Sequence, residues 1–290
     1  MKTILITGAT GNVGSEVIKA LQGQNVRVVA AVTDPETPAP HFSPDTERVR
    51  FVFGEEDSSD PAFQGTDAVF LLRSPQISDA RHLINPAIDA MGAAGVRAVT
   101  FLSVQGAQSN PLVPHHATEK HLERSGLEYT FLRAAFFMQN LSTTHRDDVR
   151  LHDDIMVPAG SGKTAFVDVR DLAAVAALTL TEAGHANRAY ELTGDEALTY
   201  DEVAQILSEV LGRTIRYPHP DVLQFWERMH GRHQPVGYVL VMTALYAVAA
   251  PGKAGHLTDD TRRRLGRAPI TFRQFAQNFA DAWASVPVGV

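Results

Sequence analysis

The stretch Lys2–Gly14, KTILITGATGNVG, constrains the fold of this chain more than any other. Thr3–Thr7 reads as a short buried strand rich in β-branched residues, and Gly8, Gly11 and Gly14 punctuate a turn that runs into a helical pattern over Ser15–Gln22. Glycines let backbone come close to a pyrophosphate, and the free amides at a helix start hold an anion without a basic side chain. The spacing is G-x-x-G-x-x-G rather than G-x-G-x-x-G, so the mechanism of the dinucleotide fingerprint is kept while its letters are not. A second strand, Val26–Thr33, follows at βαβ spacing. The turn, with Thr10, Asn12 and Val13 between its glycines, is therefore expected to bind a dinucleotide.

The rest of the chain fits that start. Beyond the proline-interrupted stretch Asp34–Asp45, strands are expected at Arg48–Phe53, Asp67–Leu72, Ala98–Ser103 and Glu128–Arg133. Helices are expected at Asp79–Ala94 and Ala117–Ser125. Such alternation predicts an α/β fold, a Rossmann-type doubly wound parallel sheet whose ligand lies at the carboxyl ends of the strands. Candidate cofactor residues are then those at and just after the strand ends: Gly8–Gly14, Thr33, Asp34, Leu72, Arg73, Ser74, Ser103, Val104 and Phe136. Strand Ala165–Val169, helix Arg170–Glu182 and strand Ala189–Leu192 continue the sheet pattern. From Thr199 onward helices dominate. We expect a dinucleotide-binding domain over residues 1–150, its sheet completed by about 164–194. A smaller, mainly helical substrate lobe should span 195–290, with 134–163 partly contributing. Gln105, Phe137, Asn140, Trp226 and Tyr238 are the candidate substrate contacts.

Charge narrows the partners. Against 26 basic residues stand 33 acidic ones, a net charge of −7, which argues for a small-molecule substrate and against nucleic acid or an anionic membrane. Without cysteine there is no disulfide, thiolate nucleophile or cysteine-bound zinc. The chain enters its first strand without a basic and then apolar leader, so a cytoplasmic location is expected. The longest apolar run, Tyr238–Ala250, has 13 residues, short of the roughly 20 that span a bilayer. It is expected to be a buried helix in a core, a pocket or a homodimer interface.

Two stretches imitate sites. Gly160-Ser161-Gly162-Lys163-Thr164 resembles a P-loop, but Val157 stands where a glycine is needed and a strand pattern follows the lysine, so a hairpin turn is expected. His115, His116, Glu119 and His121 are close in sequence, yet on a helix they do not converge as metal ligands would, and no metal is expected.

TGATGNVG at the start, FLSVQGA at the fifth strand, the helix HHATEK, LEYTFLRAAFFMQNL, FVDVRDLAAVA and LGRAPITFRQFAQNFADAW together resemble the NmrA-like branch of atypical short-chain dehydrogenases/reductases. The likeness implies a Rossmann domain, an extended nicotinamide dinucleotide and a small helical substrate lobe. It implies one of three activities: hydride transfer from NAD(P)H to a quinone, carbonyl or aromatic natural-product-like molecule, redox sensing without turnover, or a polyketide-type tailoring reaction that is not a simple reduction. The superfamily's Tyr-x-x-x-Lys is replaced here by His116-Ala-Thr-Glu-Lys120, with Ser103 as the upstream serine. By this likeness Lys120 binds the nicotinamide ribose, Ser103 meets the acceptor oxygen, and His116, on the face of Lys120, takes the tyrosine's place as proton donor. Many relatives carry an arginine for the 2′-phosphate of NADP where this chain has Thr33. Asp34, 20 residues after Gly14, stands at the spacing of a carboxylate that meets the ribose hydroxyls, which leans the expected cofactor toward NAD(H).

Overall fold

The computed structural model describes residues 1–37, 39, 42–43, 46–73, 77, 79–250 and 252–284. It divides into two compact units. The first comprises Met1–Ala134, Val169–Leu192 and Arg263–Gly266, and the second Ala135–Asp168, Thr193–Arg262 and the C-terminal segment from Arg267.

The first unit is built on β1 (Lys2–Ile6), α1 (Asn12–Leu21), β2 (Val26–Val32), β3 (Glu47–Arg50), α2 (Glu56–Phe63), β4 (Ala68–Leu71), α3 (Ala80–Leu83), α4 (Asn85–Ala93), β5 (Ala98–Val104), α5 (Pro114–Leu122) and β6 (Glu128–Ala134). β7 (Phe136–Phe137), α6 (Arg146–His152) and β8 (Thr164–Val167) belong to the second unit, and α7 (Val169–Thr181) and β9 (Arg188–Leu192) return to the first. Seven parallel strands run in the order β3-β2-β1-β4-β5-β6-β9, the Rossmann-type sheet that the alternating pattern predicts.

Period-two alternation sorts each strand onto the two faces. Leu5, Val69, Leu71, Val99, Phe101 and Phe131 share one core with Phe63, Ile88 and Leu122 from α2, α4 and α5, and with Ile84 at the break between α3 and α4. On the other face α7 runs beside α1, and the hydroxyls of Thr100 and Thr179 meet there at 3.1 Å. Ser103 and Arg133, two residues beyond Phe101 and Phe131, consequently project on the α5 side near the carboxyl ends of their strands.

Some boundaries differ from the sequence pattern for identifiable reasons. The helix expected at Asp79–Ala94 breaks at Ile84, because Asn85-Pro86 starts a new helix with proline in its first turn. The helix expected from Ala117 begins three residues earlier, at Pro114, since proline at the first helical position needs no partner for a missing N–H. His115 and His116 therefore lie inside α5. The strand expected at Ala165–Val169 forms as β8 but leaves the central sheet. It pairs with β7 and with β10 (Ala197–Leu198) in a separate three-stranded sheet.

The second unit gathers α8 (Tyr200–Leu211), α9 (Val222–Gly231), α10 (Val236–Ala249), part of α11 (Asp260–Leu265) and α12 (Phe272–Asn278). Its core joins Phe166, Tyr200, Phe225, Tyr246, Phe272, Phe275 and Trp283. Three of these helices open with reciprocal capping boxes, at Thr199/Glu202, Asp221/Gln224 and Thr271/Gln274. The apolar run expected to be buried is α10, and it buries only one side. Val239, Met242 and Tyr246 face the core, while Val236 and Leu240 are exposed. Gly160–Lys163 leads through a turn into β8, which rules out the helix start that a P-loop needs; the expected hairpin does not form, because β8 pairs with β7 and β10 and not with the chain before the turn. Among the described residues no helix is long and apolar enough to cross a membrane.

Candidate active site

The glycine turn lies at the carboxyl end of β1, held by Thr7. The Thr7 N–H donates to the Phe70 carbonyl at 3.0 Å, its hydroxyl donates to the same carbonyl at 3.1 Å, and that hydroxyl accepts the Leu72 N–H at 2.8 Å. This buried threonine ties the first turn to the end of β4. Gly8 has φ +60, and a Cβ there would stand 2.7 Å from the Leu72 side chain. A Cβ at Gly14 would overlap the Gly8 carbonyl, so Gly8 and Gly14 are demanded by the turn itself. Gly11 differs: its φ is an ordinary −82, and an added Cβ would meet only the Gly8 carbonyl oxygen, at 3.3 Å. It caps α1 without a side-chain hydrogen bond, no acid stands in the first turn, and Thr10, Gly11 and Asn12 are exposed. An open glycine turn at an unblocked, partially positive helix start fits a pyrophosphate. Val13 is buried beneath it.

At the end of β2, Thr33 and Asp34 are exposed. The Asp34 carboxylate accepts the Glu36 N–H at 3.0 Å and the Thr37 hydroxyl at 3.0 Å, closing its own turn. Arg48 steadies that turn by donating to the carbonyls of Pro35 and Thr37. After β4, Arg73 donates to the Ile77 carbonyl, and Ser74 falls outside the described residues. His115 lies against Phe101 with ring centroids 6.0 Å apart and the rings tilted by 34°, and its Nδ1 is buried without a hydrogen-bond partner. Burial, and secondarily the nearby Arg73 guanidinium, pull its pKa down to about 3.

The catalytic candidates part company. Ser103, at the end of β5 beside the half-buried Val104, is fully buried and donates to Glu119 Oε1 at 2.6 Å. The same carboxylate receives Arg133 Nε at 3.0 Å and a second guanidinium nitrogen at 2.7 Å, and its side chain is 1% exposed. The Ser103 hydroxyl, expected to meet an acceptor oxygen, donates here into an interior ion-pair cluster that ties α5 to the sheet. Glu119 and Arg133 were missed in the sequence, where only the strand-end position of Arg133 gave a signal.

His116 and Lys120 lie one turn apart on α5, outside that cluster. The Nδ1–H of His116 donates to the Ala107 carbonyl at 2.7 Å. A carbonyl can only accept, so the proton resides on Nδ1 and Nε2 is left to exchange protons with something else. Lys120 pairs with Glu123 at 2.7 Å, and its side chain is 44% exposed. A pair that open contributes little, and the ammonium is free to be recruited. Gln105 Nε2 donates to Glu191 at 3.4 Å.

The remaining candidates belong to the second unit. Phe136 and Phe137 form β7, and Phe136 stacks on Tyr246 with centroids 6.2 Å apart. The Tyr246 hydroxyl bonds His145 Nε2 at 2.6 Å, and His145 Nδ1 in turn bonds the buried Asp148, which Arg228 and Arg232 also bind. Tyr238 lines a cavity of about 380 Å³ with Thr143, Thr144, Asp147, Met229 and Arg232, and its hydroxyl meets that of Thr144 at 3.3 Å. Trp226 is directed elsewhere, donating to Thr243 at 2.9 Å. Asn140 ends a short 3-10 turn, and its carbonyl accepts the His145 N–H.

Known proteins share this architecture along nearly the whole chain. The sequence model of the NmrA-like family matches residues 1–264. A protein named NAD(P)H azoreductase, from Xenophilus azovorans, is 32% identical over 288 residues, covering 97% of this chain and 99% of its own. An NADPH-dependent quinone oxidoreductase of Escherichia coli, solved with NADPH, superposes with a TM-score of 0.85 at 27% identity, over 96% of this chain and 99% of that one. A Citrobacter triphenylmethane reductase solved with NADP(H) gives 0.83 at 27% identity, over 95% and 99%.

Proposed function

This chain belongs to the NmrA-like family, and from that premise we propose that it is an NAD(P)H-dependent oxidoreductase that passes a hydride to a quinone or a similarly conjugated aromatic acceptor. The observation that carries the reading is the turn at Gly8–Gly14, open at Gly11 and set on an uncapped helix start. The similarity to azo, quinone and triphenylmethane reductases supports the acceptor class.

In this reading the Gly8–Gly14 amides hold the pyrophosphate of the dinucleotide, Lys120 its nicotinamide ribose and Asp34 its adenosine ribose. The bound cofactor supplies the hydride. The protein's own work is placement and proton supply. His116, with Nδ1–H committed to Ala107, offers Nε2 as the position from which a proton reaches the reduced acceptor, and it can do so only as an imidazolium. A quinone acceptor lessens this need, since its reduced oxygen can be protonated from water. Phe137 and Tyr238 are proposed as contacts of the acceptor itself. With a carboxylate at Asp34 and no arginine at Thr33, NADH should serve at least as well as NADPH.

The test is oxidation of NADH and NADPH with a naphthoquinone, an azo dye and an aromatic ketone, using wild type, His116→Phe and Lys120→Ala. Turnover of the quinone with loss of cofactor affinity in Lys120→Ala supports the reading. Tight dinucleotide binding with no turnover of any acceptor would make the chain a redox sensor instead.

A further inference from the structure

The carboxyl ends of β5, β6 and β9 carry a polar row with a use beyond the ion pair already described. Ser103 pairs in register with Arg133, and Arg133 with Glu191, so three polar side chains leave neighbouring strands at one level and on one face of the sheet. Two of them close on Glu119. Glu191 does something else: its carboxylate accepts Gln108 Nε2 at 2.8 Å and Gln105 Nε2 at 3.4 Å. Those glutamines bracket Gly106 and Ala107. Gly106 turns the chain with φ +83 into a one-turn 3-10 helix, Ala107–Ser109, whose Ser109 N–H and hydroxyl both return to the Gly106 carbonyl at 3.2 Å. Ala107 is fully buried, and its carbonyl is the acceptor for His116 Nδ1–H.

We propose that Glu191, on the last strand of the sheet, is a positioning residue that sets the His116 imidazole by gripping both sides of the turn that presents the Ala107 carbonyl. The inference rests on the proton-donor reading of His116 given above. Beyond the Gln105 N–H bond to Ala134, the turn's backbone bonds are local ones, and its outer residues Gln108 and Ser109 are exposed, so the backbone alone ties it loosely to the sheet. Tied through two side chains to one carboxylate on a β-strand, it becomes part of the sheet's frame. The Ala107 carbonyl then fixes both the ring's orientation and its tautomer, as an outer-shell acceptor does for a working histidine. The device adds no group to the reacting atoms. It decides where Nε2 points.

Imidazole nitrogen NMR on the full-length protein reads the tautomer directly, and steady-state kinetics with NADH and a naphthoquinone or aromatic ketone reads the consequence. Wild type should show the Nδ1–H tautomer of His116. Glu191→Leu should show exchange between tautomers, with kcat for the ketone lowered about tenfold and KM for NADH unchanged, part of what a well-placed general acid supplies. Glu191→Gln keeps an oxygen for one of the two glutamines and should recover most of both signals. A residue that only stabilised the fold would lower the melting temperature and leave the tautomer of the folded protein alone. Should Glu191→Leu fail to fold, Gln108→Leu removes the shorter grip and carries the same expectation. An unchanged tautomer and unchanged kcat in the variants overturn the proposal. If the tautomer moves while His116→Phe keeps full activity, the positioning stands and the proton-donor reading falls. If His116→Phe is inactive and the Glu191 variants are normal, the reverse holds.

Discussion

Glu119→Gln replaces one oxygen by an amide at the centre of the Ser103–Glu119–Arg133 cluster, and its cost follows from burial. The carboxylate is 1% exposed and the arginine 14%, with three charge-assisted bonds of 2.6, 3.0 and 2.7 Å converging on the two oxygens. Breaking a buried pair by neutralising one partner costs about 3–5 kcal/mol, because the other charge stays in a low-dielectric site. Glutamine keeps one oxygen for the guanidinium, which points to the lower end, about 3 kcal/mol. That is a large share of the roughly 5–15 kcal/mol that holds a typical protein folded. Both tryptophans lie in the second unit, so the assay is urea unfolding followed by far-ultraviolet circular dichroism rather than by their fluorescence. Ser103→Ala should cost less, about 1.5 kcal/mol, since the carboxylate keeps both arginine bonds. Glu119→Leu combined with Arg133→Leu should recover much of the loss, for no charge is then left buried. A loss below about 1 kcal/mol in Glu119→Gln, with no recovery in the double variant, would refute the reasoning.

Gly11→Val should fold, its Cβ meeting only one oxygen at 3.3 Å, yet lose NADH affinity at least about tenfold by occupying the approach to the turn. Fluorescence titration checks this, and a wild-type dissociation constant would sink the site. Gly14→Ala, whose Cβ would overlap backbone, should fail to fold well, as thermal melting will show. Asp34→Arg should improve NADPH binding relative to NADH when both are titrated at one ionic strength, and an unchanged ratio would mean that Asp34 only closes its turn. His115 is neutral in the folded protein down to about pH 3, whereas in the unfolded chain it takes up a proton near its ordinary value of 6.5. The unfolded state thus binds more protons in that window, so stability is complete above about pH 6.5 and falls on acidification by up to about 1.4 kcal/mol per pH unit. His115→Phe should flatten this limb in urea midpoints compared at pH 7 and pH 5, and an equal fall in both proteins would show that other groups carry it.

What the sequence disclosed and what it hid follow one physical rule. The glycine turn, the parallel sheet and the strand ends were legible because each depends on local chemistry: φ angles open to glycine, β-branched runs and alternation with helices. Even Pro114, which seemed to delay α5, obeys a local preference once its missing N–H is counted. The surroundings of Ser103 are not legible in the sequence, for the opposite reason. Its partner Glu119 is 16 residues away and that carboxylate's other partner, Arg133, lies on the next strand, so only the register of β5 against β6 shows that the hydroxyl donates inside the protein. The departure of β8 from the central sheet is likewise invisible in its own apolar run, since the choice of sheet is made by pairing with β7 and β10. Glu191 extends the point. It stands 75 residues beyond His116, and nothing in either neighbourhood links them until β9 settles beside β6. The glycine turn is a local motif and can be read early, whereas partnerships such as Glu191 with Gln108 or Arg133 with Glu119 are assembled from register and are seen only after folding.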